Sequence, residues 1–103
     1  MMKPVEYFVQ TRGDQCEHCG SAFTFSNRPE RHHCIHGRVK GKPEFDEPVN
    51  IELVCHNCHQ SGEVDSFEHR KEFAMRQINR GYDVVAWVES LNLKAPEQWL
   101  LEL

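Results

Sequence analysis

Two cysteine pairs of identical spacing, Cys16-x-x-Cys19 and Cys55-x-x-Cys58, constrain this chain more than any other feature. Each pair forms a knuckle that turns two sulfurs toward one point, and four thiolates satisfy the tetrahedral preference of Zn²⁺ with no open position. A chain of 103 residues buries only a small core, so a metal that ties distant segments together is a natural staple. Thirty-five residues separate the pairs, so the chain between them must fold back as a hairpin. Cys16, Cys19, Cys55 and Cys58 are therefore expected to hold a structural zinc ion. The fifth cysteine, Cys34, reads as a small buried hydrophobe rather than another ligand.

The rest of the chain reads as one α+β domain over residues 1–103, with no repeat and no low-complexity segment. "VEYFVQ" (5–10) is apolar and β-prone and reads as a short strand. Residues 31–36 and 49–54 have strand character, and the Gly-, Pro- and charge-rich stretch between them reads as a long hairpin loop. The chain turns helical from residue 56. Asp65 to Glu68 has the form of a capping box, and Phe67, Phe73, Ala74 and Ile78 recur at near-helical spacing until Gly81. Asp83 caps a second helix through Val84, Trp87, Val88 and Leu91, and Pro96 opens a third, "PEQWLLEL". Trp87 and Trp99 are expected in the core.

Charge is unevenly spread. The chain is net −4, yet residues 28–42 carry five basic side chains against the single acid Glu30, a local +4. Such a patch binds phosphate or stays a solvated loop; Arg38, Lys40 and Lys42 are the candidates for backbone-phosphate contacts. No apolar run approaches the roughly 18 residues of a membrane span, so no membrane partner and a cytoplasmic setting are expected.

Seven histidines are many for this length. His59 directly follows Cys58, and consecutive helical side chains diverge by about 100°. Cys58 can face the zinc while His59 faces a second site. His69 reads as a solvent-facing helix residue, and His18 and His56 as exposed knuckle residues.

In order, the chain presents Cys16-x-x-Cys19, His32-His33, Asn50 followed by Ile51-Glu52-Leu53-Val54, and Cys55-x-x-Cys58-His59. This series resembles the HNH endonucleases with a zinc-bound ββα-metal core. The resemblance covers residues 16–62, leaving residues 63–103 as a C-terminal helical extension. It implies that His33 is the general base, that His32 and His59 hold one catalytic divalent cation, and that Asn50 fixes the loop and orients the base. The implied cation is Mg²⁺ or Mn²⁺. A second nitrogen donor at His32 shifts preference toward Mn²⁺, Ni²⁺ or Zn²⁺.

The implied reaction is phosphodiester hydrolysis in DNA, as a nick or a double-strand cut, leaving a 5′-phosphate and a 3′-hydroxyl. A neutral imidazole with an ordinary pKa near 6.5 is a competent base for it at physiological pH. The small stand-alone form is similar to HNH proteins of bacteriophages, which implies a monomer or weak dimer within a larger phage or host DNA-processing complex. The alternative from another functional class is a non-catalytic, zinc-stapled module that binds nucleic acid or protein.

Overall fold

A computed structural model describes residues 3–34 and 43–91. The chain opens with a helix, α1 (Val5–Arg12), where the sequence pattern suggested a strand. The apolar positions Val5, Phe8 and Val9 have i, i+3, i+4 spacing, which suits one helical face as well as it suits a strand. Pro4 at the N-cap, Glu6 in the first turn, Arg12 in the last and Gly13 at φ 107° complete the helix signals. Packing decides the matter. Phe8 is fully buried against Ile51 and Leu53, which is worth about 1.5–3 kcal/mol.

The knuckle carrying Cys16 and Cys19 leads into β1 (Pro29–His33), which pairs antiparallel with β2 (Ile51–Cys55) in a two-stranded sheet. The register runs from Pro29 opposite Cys55 to His33 opposite Ile51. An isolated hairpin is marginal in water, and here both faces are covered. All five residues of β2 are buried. Leu53 and Ile51 face α1, whereas Val54 and Glu52 face the helices that follow.

β2 runs directly into α2 (His56–Ser61), which ends at Gly62 in the left-handed region, φ 79°. A single 3₁₀ turn, Glu63–Asp65, connects to α3 (Phe67–Asn79), and α4 (Val84–Ser90) follows. Ser66, not Asp65, caps α3: its hydroxyl accepts from the His69 N–H at 3.1 Å. Asp65 is instead drawn toward His32, 3.5 Å from its Nε2. Asp83 caps α4 as its sequence position suggests, accepting from the Ala86 N–H at 3.0 Å. Phe45, Ala74, Val84, Val88 and Leu91 form the core beneath α3 and α4, with Trp87 edge-on to Phe45. Phe67, at the first turn of α3, is exposed.

The domain is thus α+β: two antiparallel strands and a helix, joined by a four-cysteine cluster, with further helices after it. Among the described residues no helix is long and apolar enough to cross a membrane. Trp99 and the segment "PEQWLLEL" lie outside the described residues.

Candidate metal centre and histidine face

The two knuckles converge. Cys16 Sγ lies 3.9 Å from Cys58 Sγ, Cys19 Sγ lies 3.8 Å from Cys55 Sγ, and all four fall within 4.8 Å of one another. Four thiolates about 2.3 Å from a tetrahedral Zn²⁺ stand about 3.8 Å apart, so the spacing fits that ion. Burial, reinforced by the neighbouring Cys55, Cys19 and Cys16 groups, pushes the Cys58 thiol far up. Burial also raises Cys16, against backbone hydrogen bonds that lower it. Hydrogen bonds from Ser21, side chain first and then backbone, bring the exposed Cys19 down to about 6. A bound cation replaces the thiol protons at such a site.

The knuckle is also tied to the rest of the fold. Glu17, between the two cysteines, accepts from the Leu53 N–H and pairs with Arg12, at 3.2 Å, and with Arg80. Arg12 in turn donates to the carbonyls of Ile51 and Pro48. One buried carboxylate thereby links α1, β2 and the end of α3.

The histidines divide between the two faces of the hairpin. Glu30, His32 and Cys34 alternate onto the face covered by α2 and α3; Arg31 and His33 take the other. His32 is 2% exposed, with Nε2 3.1 Å from the Val64 carbonyl. A carbonyl only accepts, so Nε2 carries a proton. His59, on α2, sits edge-on to His32 with ring centres 5.3 Å apart. The two rings are close, and no third His, Cys, Asp or Glu joins them in a cluster of metal-ligand spacing among the described residues.

His33 occupies the last position of β1. Its Nε2 lies 2.8 Å from Asp46 Oδ1, and a carboxylate accepts, so Nε2 carries a proton. Asn50 is buried at the hairpin's closing end. Its amide donates to the Phe45 carbonyl at 2.8 Å, and its own carbonyl accepts from the Cys34 N–H at 2.9 Å. Cys34 itself is buried, its thiol 3.8 Å from the Arg70 carbonyl.

His69 departs from its sequence reading. It is 4% exposed, and its Nε2 lies 2.6 Å from Glu52, which also pairs with Arg76 at 3.1 Å. The alternation of β2 turns Glu52 inward beneath α3, and a buried carboxylate requires charged or donor partners. His18 packs its ring edge-on against His69 and contacts Glu63 at 3.2 Å. His56 bonds Glu30 at 2.9 Å. Both knuckle histidines are thus engaged with acids. Arg38, Lys40 and Lys42 lie outside the described residues.

Three acids stand beside these histidines in places that their sequence positions did not suggest: Glu30, which bonds His59 and His56; Asp46, which bonds His33; and Asp65, beside His32. Glu30 had one available signal, its position two residues before His32 on a strand. Burial would raise the Glu30 carboxyl, but hydrogen bonds and charge from His56 and His59 outweigh it and lower the group below its ordinary range.

Residues 16–63 match the family model of the HNH endonucleases. Part of the chain is also 42% identical over 53 residues to the CRISPR-associated endonuclease Cas9 of Corynebacterium diphtheriae. That alignment covers 52% of this chain and 5% of the relative's length. No solved structure matches. The family match encloses both cysteine pairs together with His32, His33, Asn50 and His59, so residues 16–63 are similar to an HNH endonuclease domain.

Proposed function

We propose that the chain is a metal-dependent DNA endonuclease that hydrolyses phosphodiester bonds and leaves 5′-phosphate and 3′-hydroxyl ends. The observation that carries this reading is that both cysteine pairs, His32, His33, Asn50 and His59 all fall within residues 16–63, which match the HNH endonuclease family model. His32 stacks edge-on against His59 on one side of the hairpin, while His33 is held by Asp46 at the strand end.

In this reading His33 takes the proton of the attacking water at Nδ1, and Asp46 keeps the ring in that tautomer and stabilises the imidazolium that forms. Asn50 braces the turn that carries Asp46. His32, through Nδ1, and His59, through Nε2, would hold one divalent cation. When bound, that ion supplies positive charge to the phosphate oxygens as charge develops there. Mn²⁺ and Ni²⁺ suit two nitrogen donors better than Mg²⁺ does. Arg38, Lys40 and Lys42 contact backbone phosphates, which makes binding salt-dependent and weakly selective for sequence.

The test is a supercoiled-plasmid assay with Mg²⁺, Mn²⁺ or Ni²⁺, comparing the wild type with His33→Ala. The wild type nicks or linearises the plasmid, and the variant loses at least about 100-fold in rate. Equal rates would remove His33 from the base role. A wild type inert with every metal assigns the chain to the non-catalytic, zinc-stapled binding class instead.

A further inference from the structure

Glu30 sits on β1 two residues before His32, on the face that α2 covers. His56 and His59 are three apart on α2 and point to the same side of that helix. The packing of α2 on β1 sets one carboxylate between two imidazoles. Glu30 Oε1 lies 2.9 Å from His59 Nδ1, and Oε2 lies 2.9 Å from His56 Nδ1. Arg28 Nη2 approaches Oε2 at 3.2 Å, adding charge to one oxygen. The Glu30 side chain is only 18% exposed, so these contacts are far less open to water than an ordinary surface pair.

We propose that Glu30 is a positioning residue that fixes His59 as a metal ligand. It accepts the Nδ1 proton's hydrogen bond, holds the ring's orientation toward His32, and leaves Nε2 as the nitrogen presented to a divalent cation. The proposal rests on the reading of His59 as a cation ligand. Its physical basis is general: a metal-binding imidazole gives its other N–H to a carboxylate or carbonyl, which fixes the tautomer and raises ligand basicity. His32 has the corresponding partner in the Val64 carbonyl. His56 has a different part. It engages the second oxygen and ties α2 to β1 beside the bond to His59 rather than through it.

The test uses the full chain loaded with zinc, titrated with Mn²⁺ and read by electron paramagnetic resonance. Nitrogen-15 chemical shifts of the histidine rings report the tautomers. The wild type holds His59 as the Nδ1–H tautomer and binds Mn²⁺. Glu30→Ala lowers Mn²⁺ affinity about 10- to 100-fold and releases the tautomer. Glu30→Gln, which keeps one acceptor oxygen, recovers part of both, and it carries the test if the alanine variant does not fold. His56→Ala removes a comparable tie between β1 and α2 but keeps the bond to His59, so its Mn²⁺ affinity stays close to wild type.

Wild-type Mn²⁺ affinity and an unchanged His59 tautomer in both Glu30 variants would overturn the proposal. So would an equal loss in His56→Ala, which would mark the carboxylate as a structural tie alone. Mn²⁺ binding that is absent from the wild type, or that survives His59→Ala, overturns the ligand reading beneath it. Binding that His59→Ala abolishes and the Glu30 variants leave intact overturns only the positioning role.

Discussion

The Asn50 side-chain amide donates to the carbonyl of Phe45 at 2.8 Å, and the very next residue, Asp46, holds His33 Nε2 at the same distance. The buried Asn50 thus anchors the turn from which the partner of the proposed base projects. The link runs through the backbone, so loosening one end releases the other.

Asn50→Ala removes that anchor and leaves the Phe45 carbonyl without its amide donor. The expected cost is about 1–3 kcal/mol of stability in urea denaturation of the zinc-loaded protein. Cleavage should fall further than the population of folded protein does. A variant that loses stability but keeps the wild-type rate per folded molecule would break the link between Asn50 and His33.

Cys58 is nearly buried, and its thiol is pushed up by burial and by the sulfurs around it. Cys58→Ser, or removal of zinc by a chelator, should abolish the cooperative thermal transition rather than merely lower its midpoint. Zinc loading should release protons, measurable by calorimetry in buffers of different ionisation enthalpy. A zinc-free Cys58→Ser protein that still unfolds cooperatively would remove the staple from this account.

Glu17 answers two arginines and a strand N–H from within the first knuckle. Glu17→Ala leaves the buried Arg12 guanidinium without its carboxylate, at a cost of about 3–5 kcal/mol. Glu17→Gln should cost less, because the amide oxygen still accepts. Chemical denaturation of the two variants at saturating zinc checks this, and the idea fails if alanine costs under about 1 kcal/mol.

The lowered Glu30 carboxyl makes a pH-dependent contribution whose sign is set by the direction of the shift. A depressed acid stabilises the fold fully above its ordinary value of 4.5 and loses that contribution as pH falls through its lower folded-state value. Above pH 4.5 the stability gap between wild type and Glu30→Gln should therefore be open. Below pH 4.5 it should close as Glu30 protonates. Denaturation of both proteins at saturating zinc across that range measures the gap, and a gap that widens with acid would reverse the assignment.

Some of this was legible in the residues themselves. Spacing alone brings the sulfurs of each knuckle together, because two cysteines three positions apart in a tight turn cannot point far from each other. Strand alternation already separates His32 from His33, and helical geometry already turns His59 away from Cys58. The Asp83 cap and the apolar positions of α4 follow from local pattern in the same way.

Other features depended on contacts between distant segments. The spacing of Val5, Phe8 and Val9 serves a strand or a helix, and only burial of Phe8 against β2 selects the helix. His69 looks exposed until Glu52 is found beneath it, seventeen residues back. Glu30 reaches His59 across twenty-nine positions and Asp46 reaches His33 across thirteen. A carboxylate's partner is set by where the fold puts it, because charge acts through space and carries no periodicity along the chain. The spacing of the cysteines and the alternation of the histidines were therefore determined by the sequence, while the acids beside those histidines were decided by the packing of α2 and the hairpin turn.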